Sequence, residues 1–523
     1  MKKAWALHIK EKFMIEGIEN HHLAELKMVY KLIAKKNYIE ASKRGKVLAE
    51  EGIYNANFLI NMINATLEIG DCDGVMKSFY PLLQDIYFDK DNDKKSKLVL
   101  QEYSLVKEVA IKIMEEGRLD DALKFLNLFE KENALLISLL QTVKSLIVEA
   151  EKEGKIISDN NKNKEINQIA SVVWGEKYIE SFMSHNVRSM LAKGNIPALK
   201  EKGSVIHSIV TTPSGKELIE KHPVFAELSN YAKVEFFCFP ESLVKLAQNN
   251  SDPDQIFYLL YGALDHVNIF FARSLKSNLF LIPVDSIVAN PSFKNMRSYL
   301  DQGYDCCGAG NLVAESEGFL SELDEKYGTS GDLTISTKDL ATLALKHPHH
   351  YITSQLIHDK NKDFGRYPRE LFWPTKGGVY VHSIYTHPLV VSAERITSDY
   401  KMPFKWVDFL LPARLFQNKE AFDHYKIIDN AEEAYINNYA GKGRKFETTG
   451  RAFKIKDFVE AHLYSHPIHR HMLHTRQFIP CDYEPLKCSN NIDRDIRKIK
   501  KELAKVFDEP DLMETEYSQK TAA

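Results

Sequence analysis

The sequence predicts an α/β protein, with a mostly parallel, Rossmann-like sheet preceded by an all-α helical-repeat domain. Three observations predict it. Residues 1 to about 155 read as helix after helix. From Ile169 onward, strand-length apolar runs alternate with helical patterns, the order that builds right-handed βαβ units. At 523 residues the chain is also too long for one ordinary core. The expected division is a helical domain at 1–155, a linker at 156–168, an α/β domain at 169–480, and a tail with an amphipathic helix at 481–523.

Along the helical part three similar junctions recur: Lys36 to Ala41, Gly70 to Val75 and Gly117 to Ala122. The first two are offset by 34 residues, the period of tetratricopeptide repeats, and the third by 47, with the polar insert Asp89 to Lys97 accounting for most of the excess. The segment resembles a short tetratricopeptide-like solenoid. Such stacked helix pairs have a concave face that holds a partner helix or peptide. Packing on the next domain or on a second copy is the equal alternative.

The polar, aperiodic Ser158 to Asn167 predicts the linker. Then follow a strand at Ile169 to Trp174, a helix at Glu176 to Leu191 and a strand at Val205 to Thr211. A helix at Ser214 to Leu228, opened by a Ser214/Glu217 capping box, leads to a strand at Val234 to Phe239. In the long helix Asp254 to Lys276, Phe270, Phe271, Ser274 and Leu275 fall at helical spacing, and the apolar strand Leu279 to Val284 runs out of it onto Asp285. Beyond Thr334 the order is less regular, with apolar strands at Gly378 to Ile384 and Lys426 to Ile428 among aromatic, histidine-rich loops. The tail, Asn491 to Phe507, sets Ile492, Ile496, Ile499, Leu503 and Val506 among charges, an amphipathic helix expected to dock on the body or on a dimer partner.

Composition is that of a globular protein, 44% apolar and 27% charged, and a net charge of -3 leaves no general electrostatic footprint for nucleic acid. No apolar run approaches the roughly 18 to 20 residues that span a bilayer. Lys10 and Glu11 break the first apolar run too early for a signal peptide, so a cytoplasmic protein is expected. Cys72, Cys238, Cys306, Cys307, Cys481 and Cys488 include no C-x-x-C pair, which predicts reduced thiols rather than a disulfide framework.

Ligands of open α/β sheets gather where strands end. Asp285 at such an end can hold a divalent cation or a substrate hydroxyl; it can equally cap the Asn290 to Leu300 helix. Trp174-Gly175-Glu176 ends the first strand and opens a helix, where glycine lets backbone amides reach an anion. Thr211 and Thr212 end the second strand and offer hydroxyls to a base or ribose, or to a helix cap. Of the 19 histidines 12 lie at or beyond His347, yet no spacing is that of a zinc motif. His387, following the Gly378 strand, can meet Asp285 at one sheet edge, and the pair can ligate Mg²⁺ or Mn²⁺ completed by phosphate and water. Arg366, in the aromatic stretch Asp363 to Pro374, suits phosphate, carboxylate or a stacked ring. Asp429 and Glu432 form one more acidic strand end.

Taken together, residues about 168 to 476 resemble a glycosyltransferase of the GT-A type, from a bacterial group that opens with V-W-G-E-x-Y, here Val173 to Tyr178. Further matches are G-N-[IL]-P-A-L at Gly194 to Leu199, T-T-P at Thr211, P-x-D at Pro283 to Asp285, and H-P-L-x-V at His387 to Val391. The resemblance implies a nucleotide-sugar donor laid over the first strands, near Trp174, Gly175, Glu176, Thr211 and Thr212, and a sugar passed to a glycan or protein acceptor. A D-x-D pair usually holds the metal and diphosphate in this fold, but Ser286 and Ile287 follow Asp285, so the second acid is missing. That leaves a one-acid site completed by His387, or a diphosphate neutralised by Arg273, Lys276 and Arg366. Base candidates for the acceptor hydroxyl are His387, Asp429 and Glu432. Two other classes stay open: a scaffold with a silent nucleotide-sugar fold, and a nucleotidyltransferase, of whose glycine-rich loop Trp174-Gly175-Glu176-Lys177 is a poor version.

Overall fold

A computed structural model describes residues 20–35, 37–51, 56–69, 71–79, 109–115, 117–127, 130–162, 164–249, 253–358, 361–402, 407–442, 447–462, 465–482 and 492–507. The chain divides into two compact units, Met1–Lys144 and Ser145–Ala523.

In the first unit, helices Asn20–Ala34, Tyr38–Glu50, Ala56–Glu68 and Leu119–Asn127 each bury an apolar face. The recurrent junctions are helix starts fixed by side chains and turns. Asn37 Oδ1 accepts the Glu40 amide at 3.4 Å, and Asp71 accepts the Gly74 amide and the Lys46 ammonium, both at 2.8 Å. Gly117, at φ +77°, supplies the left-handed turn before Leu119–Asn127. Tyr38–Glu50 and Ala56–Glu68 approach closely, since a Cβ on Gly45 would lie 2.4 Å from the Met62 sulfur. The insert Asp89 to Lys97 lies outside the described residues, as do Lys10, Glu11, Cys488 and the Cys72 side chain.

The expected linker is instead the end of one element and the start of another. Glu130–Asn160 continues as a helix, and the first strand begins at Ile166. Polarity there marks a solvent face rather than a break: Ile157 is buried, and Asn161 Nδ2 closes the last turn on Ile157 O at 2.8 Å. Asn133–Asn160 is also long and apolar enough, by length and composition, to cross a membrane, because Lys144 and Glu149 alone interrupt its first 18 residues; half of that apolar window is buried.

The second unit carries thirteen described strands: β1 (Ile166–Val172), β2 (Ser204–Thr211), β3 (Lys233–Cys238), β4 (Asn278–Leu281), β5 (Ser286–Val288), β6 (Cys306–Ala309), β7 (Val313–Glu315), β8 (Glu370–Thr375), β9 (Gly378–Ser383), β10 (His387–Ser392), β11 (Tyr425–Ile427), β12 (Ile436–Ala440) and β13 (Gln477–Pro480). Seven form one mixed sheet in the order β11-β6-β10-β4-β1-β2-β3. β1 pairs in parallel with β2 and β4, β2 with β3, and β6 with β11; β10 runs antiparallel between β4 and β6. The α/β expectation therefore holds. Covered on both faces, β1 is buried along its whole length, as a central parallel strand must be. Two three-stranded sheets, β5-β12-β7 and β13-β9-β8, flank the main one in the chain's second half.

Local differences have simple causes. The helix expected over Ser214 to Leu228 is two helices, Pro213–Lys221 and Pro223–Tyr231, because proline has no amide to continue a helix across His222-Pro223. Its cap is Thr212 rather than Ser214, with Pro213 at the favoured first position. β8 takes Glu370 onward from the stretch expected to be a loop, pairing with β9. The tail helix Ile492–Phe507 buries Ile496, Ile499 and Leu503 in one cluster with Phe458 and Leu473. Cys238, Cys306, Cys307 and Cys481 are free thiols, and burial pushes Cys307 up to about 12.

Candidate functional site

The strand directions decide which residues meet. β1, β2, β3, β4, β6 and β11 end at one edge of the sheet, and antiparallel β10 begins there. The chain builds outward from β1 to β3, then returns to the other side of β1 with β4. That reversal is a topological switch point, the place at which open α/β sheets bind ligands beyond the carboxyl ends of their strands.

On the β1 side Trp174 stands half-buried against Phe239, Phe257 and Tyr261, with ring centroids 5.7, 6.3 and 6.4 Å away. Gly175, at φ +82°, makes the left-handed turn that starts a helix at Glu176 directly after the strand, and both residues are exposed. Thr211 is fully buried, and its hydroxyl has no hydrogen-bond partner among the described residues. Thr212 Oγ1 is committed to its own helix, accepting the Gly215 amide at 3.1 Å.

The segment after β1 departs from the plain helix the sequence predicts. Phe182–Val187 winds as a π turn between helical Glu176–Ser181 and Arg188–Met190. On an α-helix Ser181 and Asn186 would face about 140° apart. With the wider turn, Asn186 meets the loop that carries Asp285 while Ser181, just ahead of it, meets Tyr439.

That loop is a tight turn. After β4 the chain passes Pro283 and Val284, exposes Asp285, and enters β5 at Ser286. Asn186 Nδ2 donates to Pro283 O at 3.0 Å, to Ser286 O at 2.8 Å and to Ser286 Oγ at 3.1 Å. Tyr439 donates its amide to Asp285 O at 2.9 Å, and its hydroxyl shares a 3.0 Å hydrogen bond with Ser181 Oγ. Burial pushes the Tyr439 phenol up, and the Asp285 charge adds to that push. Asp285 caps no helix: the next one starts at Ser292, after the cis Asn290-Pro291 bond.

His387 begins a strand instead of ending one, and because β10 runs backwards this still sets it at the Asp285 edge. Its Nε2 donates to Leu281 O at 3.0 Å, so that nitrogen is spent on the last carbonyl of β4 and is not open to a metal. Among the described residues no group of three or more His, Cys, Asp or Glu is arranged to hold an ion. One exposed carboxylate fits a Mg²⁺ or Mn²⁺ held mainly by a substrate's phosphates and water, and does not fit a protein cage.

Arg273 and Lys276 belong to the opposite edge. Helix Pro253–Leu275 feeds straight into β4, so its last turn lies at that strand's amino end, away from Asp285. Arg273 pairs with Glu151, while Lys276 lines a polar cleft of about 640 Å³ with Lys164, Glu165, Asn278 and Arg297. Arg366 pairs with Glu447 at 3.0 Å and covers the Tyr367 ring, on the loop ahead of β8. Asp429 and Glu432 follow β11, three strands from β4 and so about 14 Å away by strand spacing. Asp429 pairs with Lys426 at 3.4 Å, and Glu432 is exposed on a turn held by Asn430.

Four of the late histidines, His349, His382, His462 and His469, are buried. His462 Nε2 donates to Pro368 O at 2.7 Å and His469 Nε2 to Phe409 O at 2.8 Å, with Tyr385 in ring contact with both. Burial pushes both down to about 4, and His207, His382 and His474 to about 3. His474 Nδ1 accepts from Lys500, whose own value burial lowers to about 8.

No sequence signal marks Asn186, Ser181 or Tyr439, because a π turn and a returning strand leave no periodic trace. The aromatic group around Trp174 was visible only as separate residues. Fold and site together define a mixed α/β protein with an exposed acid, Asp285, at the switch point of its main sheet. Compared with family models, curated proteins and solved structures, the chain matches none.

Proposed function

We propose that the second unit is a nucleotide-sugar-dependent glycosyltransferase of GT-A type, acting on a glycan or protein acceptor. One observation carries the reading: β1, β2 and β4 end side by side at the switch point of the sheet, where Asp285 stands exposed on a turn fixed from two sides. The V-W-G-E-x-Y and P-x-D matches fall on those strand ends. In this reading the Trp174 aromatic group receives the base or ribose, and the Gly175-Glu176 amides face the diphosphate. A Mg²⁺ or Mn²⁺ at Asp285 would supply charge neutralisation to the leaving diphosphate.

In the transfer, the acceptor hydroxyl oxygen forms the new bond to the anomeric carbon, the bond from that carbon to the phosphate oxygen breaks, and the diphosphate leaves with the electron pair. The acceptor proton passes to a base. His387 is the base candidate on the strand next to β4; Asp429 and Glu432 stand two strands further out. Arg273 and Lys276 take no part, which leaves Arg366 as the basic side chain on the chain's later loops to test. The helix junctions of the first unit support a repeat that selects a protein acceptor or partner.

The test is nucleoside diphosphate release from a panel of nucleotide sugars, with Mn²⁺, Mg²⁺ or EDTA, against Asp285→Ala. Release for one donor, cut sharply in the variant, supports the reading. Silence across the panel, with no thermal shift from any donor, favours the scaffold alternative.

A further inference from the structure

We infer that Asn186 is a positioning residue for Asp285, delivered to it by the π turn of the helix after β1; the inference rests on the reading of Asp285 above. Asn186 is fully buried, and its amide nitrogen, which carries two hydrogens, meets three oxygens on Pro283 and Ser286. Those two residues bracket Val284 and Asp285, so the bonds close the turn and aim its tip. Asn186 Oδ1, in contrast, has no hydrogen-bond partner among the described residues. The side chain is oriented as a donor to the acidic turn and leaves its acceptor unmatched.

The same segment reaches the turn by a second route. Ser181 meets the Tyr439 hydroxyl, and the Tyr439 amide holds the Asp285 carbonyl. Both side chains belong to the piece of chain that starts at Gly175, where β1 delivers its exposed glycine turn. One continuous helical segment therefore joins the end of β1 to the turn that carries Asp285. A donor seated at Gly175 would meet an Asp285 already set by the helix it rests on.

The experiment uses the full chain with the nucleotide sugar that the parent turns over, measuring kcat and donor KM by nucleoside diphosphate release. Asn186→Leu is expected to lower kcat by about 10- to 100-fold, with donor KM changed less than about threefold. On an Asp285→Ala background the same substitution is expected to cost less than about twofold, because there is no carboxylate left to position. Ser286→Ala loosens the same turn from its own side and should lower kcat in the same direction, about 3- to 10-fold; it keeps the test open should Asn186→Leu fail to fold. If Asp285→Ala itself changes nothing, the functional reading and this inference fall together. If Asp285→Ala cuts turnover sharply while Asn186→Leu and Ser286→Ala leave kcat unchanged, or the losses multiply in the residual turnover of the double variant, this inference alone is overturned.

Discussion

Arg188 offers a stability test that needs no substrate. Its guanidinium is 1% exposed and donates to four backbone carbonyls: Nε to Gly331 O at 2.7 Å, Nη1 to Ser184 O at 3.1 Å and Gly328 O at 3.0 Å, and Nη2 to Ser330 O at 3.0 Å. Gly328 and Gly331, both at φ +72°, turn their carbonyls inward onto it. The perturbation is Arg188→Met, which keeps the length and removes the donors. Four charge-assisted bonds at about 1.5 kcal/mol each give roughly 6 kcal/mol. About half returns, because the substitution also removes a desolvated cation and the exposed loop carbonyls regain water. The expected loss of about 3 kcal/mol is concentrated in the loop and corresponds to about a hundredfold faster amide exchange. Hydrogen-exchange mass spectrometry of peptides covering residues 328–333, at fixed pH and temperature, reads it directly. Exchange within about threefold of the parent, with an unmoved thermal midpoint, would show that the guanidinium does not anchor the loop.

Two further outcomes concern pH. His207, His382, His462, His469 and His474 are held at about 3 to 4 by burial, below the ordinary 6.5 of an unfolded histidine. Below pH 6.5 the unfolded chain binds protons that the folded chain refuses, so their contribution is present above that pH and is lost as the pH falls toward 4. At about 1.4 kcal/mol per pH unit for each group, denaturant unfolding at pH 5 should show several kcal/mol less stability than at pH 7; a flat profile would contradict neutral burial. Lys500 gives the second outcome: its value falls from 10.5 to about 8, so folding binds fewer protons and Lys500 costs stability at neutral pH. Lys500→Met should raise stability at pH 7 by roughly 1 to 2 kcal/mol, after allowing for the His474 nitrogen left without its donor. The gain should shrink toward pH 10, and a lower thermal midpoint at pH 7 would refute it.

The strands that meet at the switch point were legible because buried parallel strands are continuous apolar runs. Asp285 was legible because it stands at the end of one. The shortest strands were not: β6 of the main sheet, and β5 and β7 of the sheet beside it, are three or four residues long, below any periodic window. β10 finds β4 across 106 residues through pairing that no local pattern encodes. Arg273 and Lys276 show a different loss. Their charge suited a diphosphate, but a helix that runs directly into a strand ends at that strand's amino edge, which direction alone excludes from the Asp285 edge. Pro223 already carried the helix break in the sequence. The histidines were visible as a group, whereas the burial that takes His382, His462 and His469 out of solvent appears only in three dimensions.

The antiparallel strand at the middle of the sheet also sets a timetable for synthesis. β4 leaves the ribosome with β1 beside it and its other edge bare, and β6 emerges with neither of its neighbours, β10 and β11, yet made. With 106 residues between Leu281 and His387, and about 5 to 20 residues added per second, the nascent chain carries an open apolar edge for about 5 to 20 s. During that interval the half-built sheet is a template for any passing strand. Truncation anywhere between β4 and β10 should therefore yield insoluble chains, whereas a break after β11 leaves the seven-stranded sheet closed to recruitment along its centre.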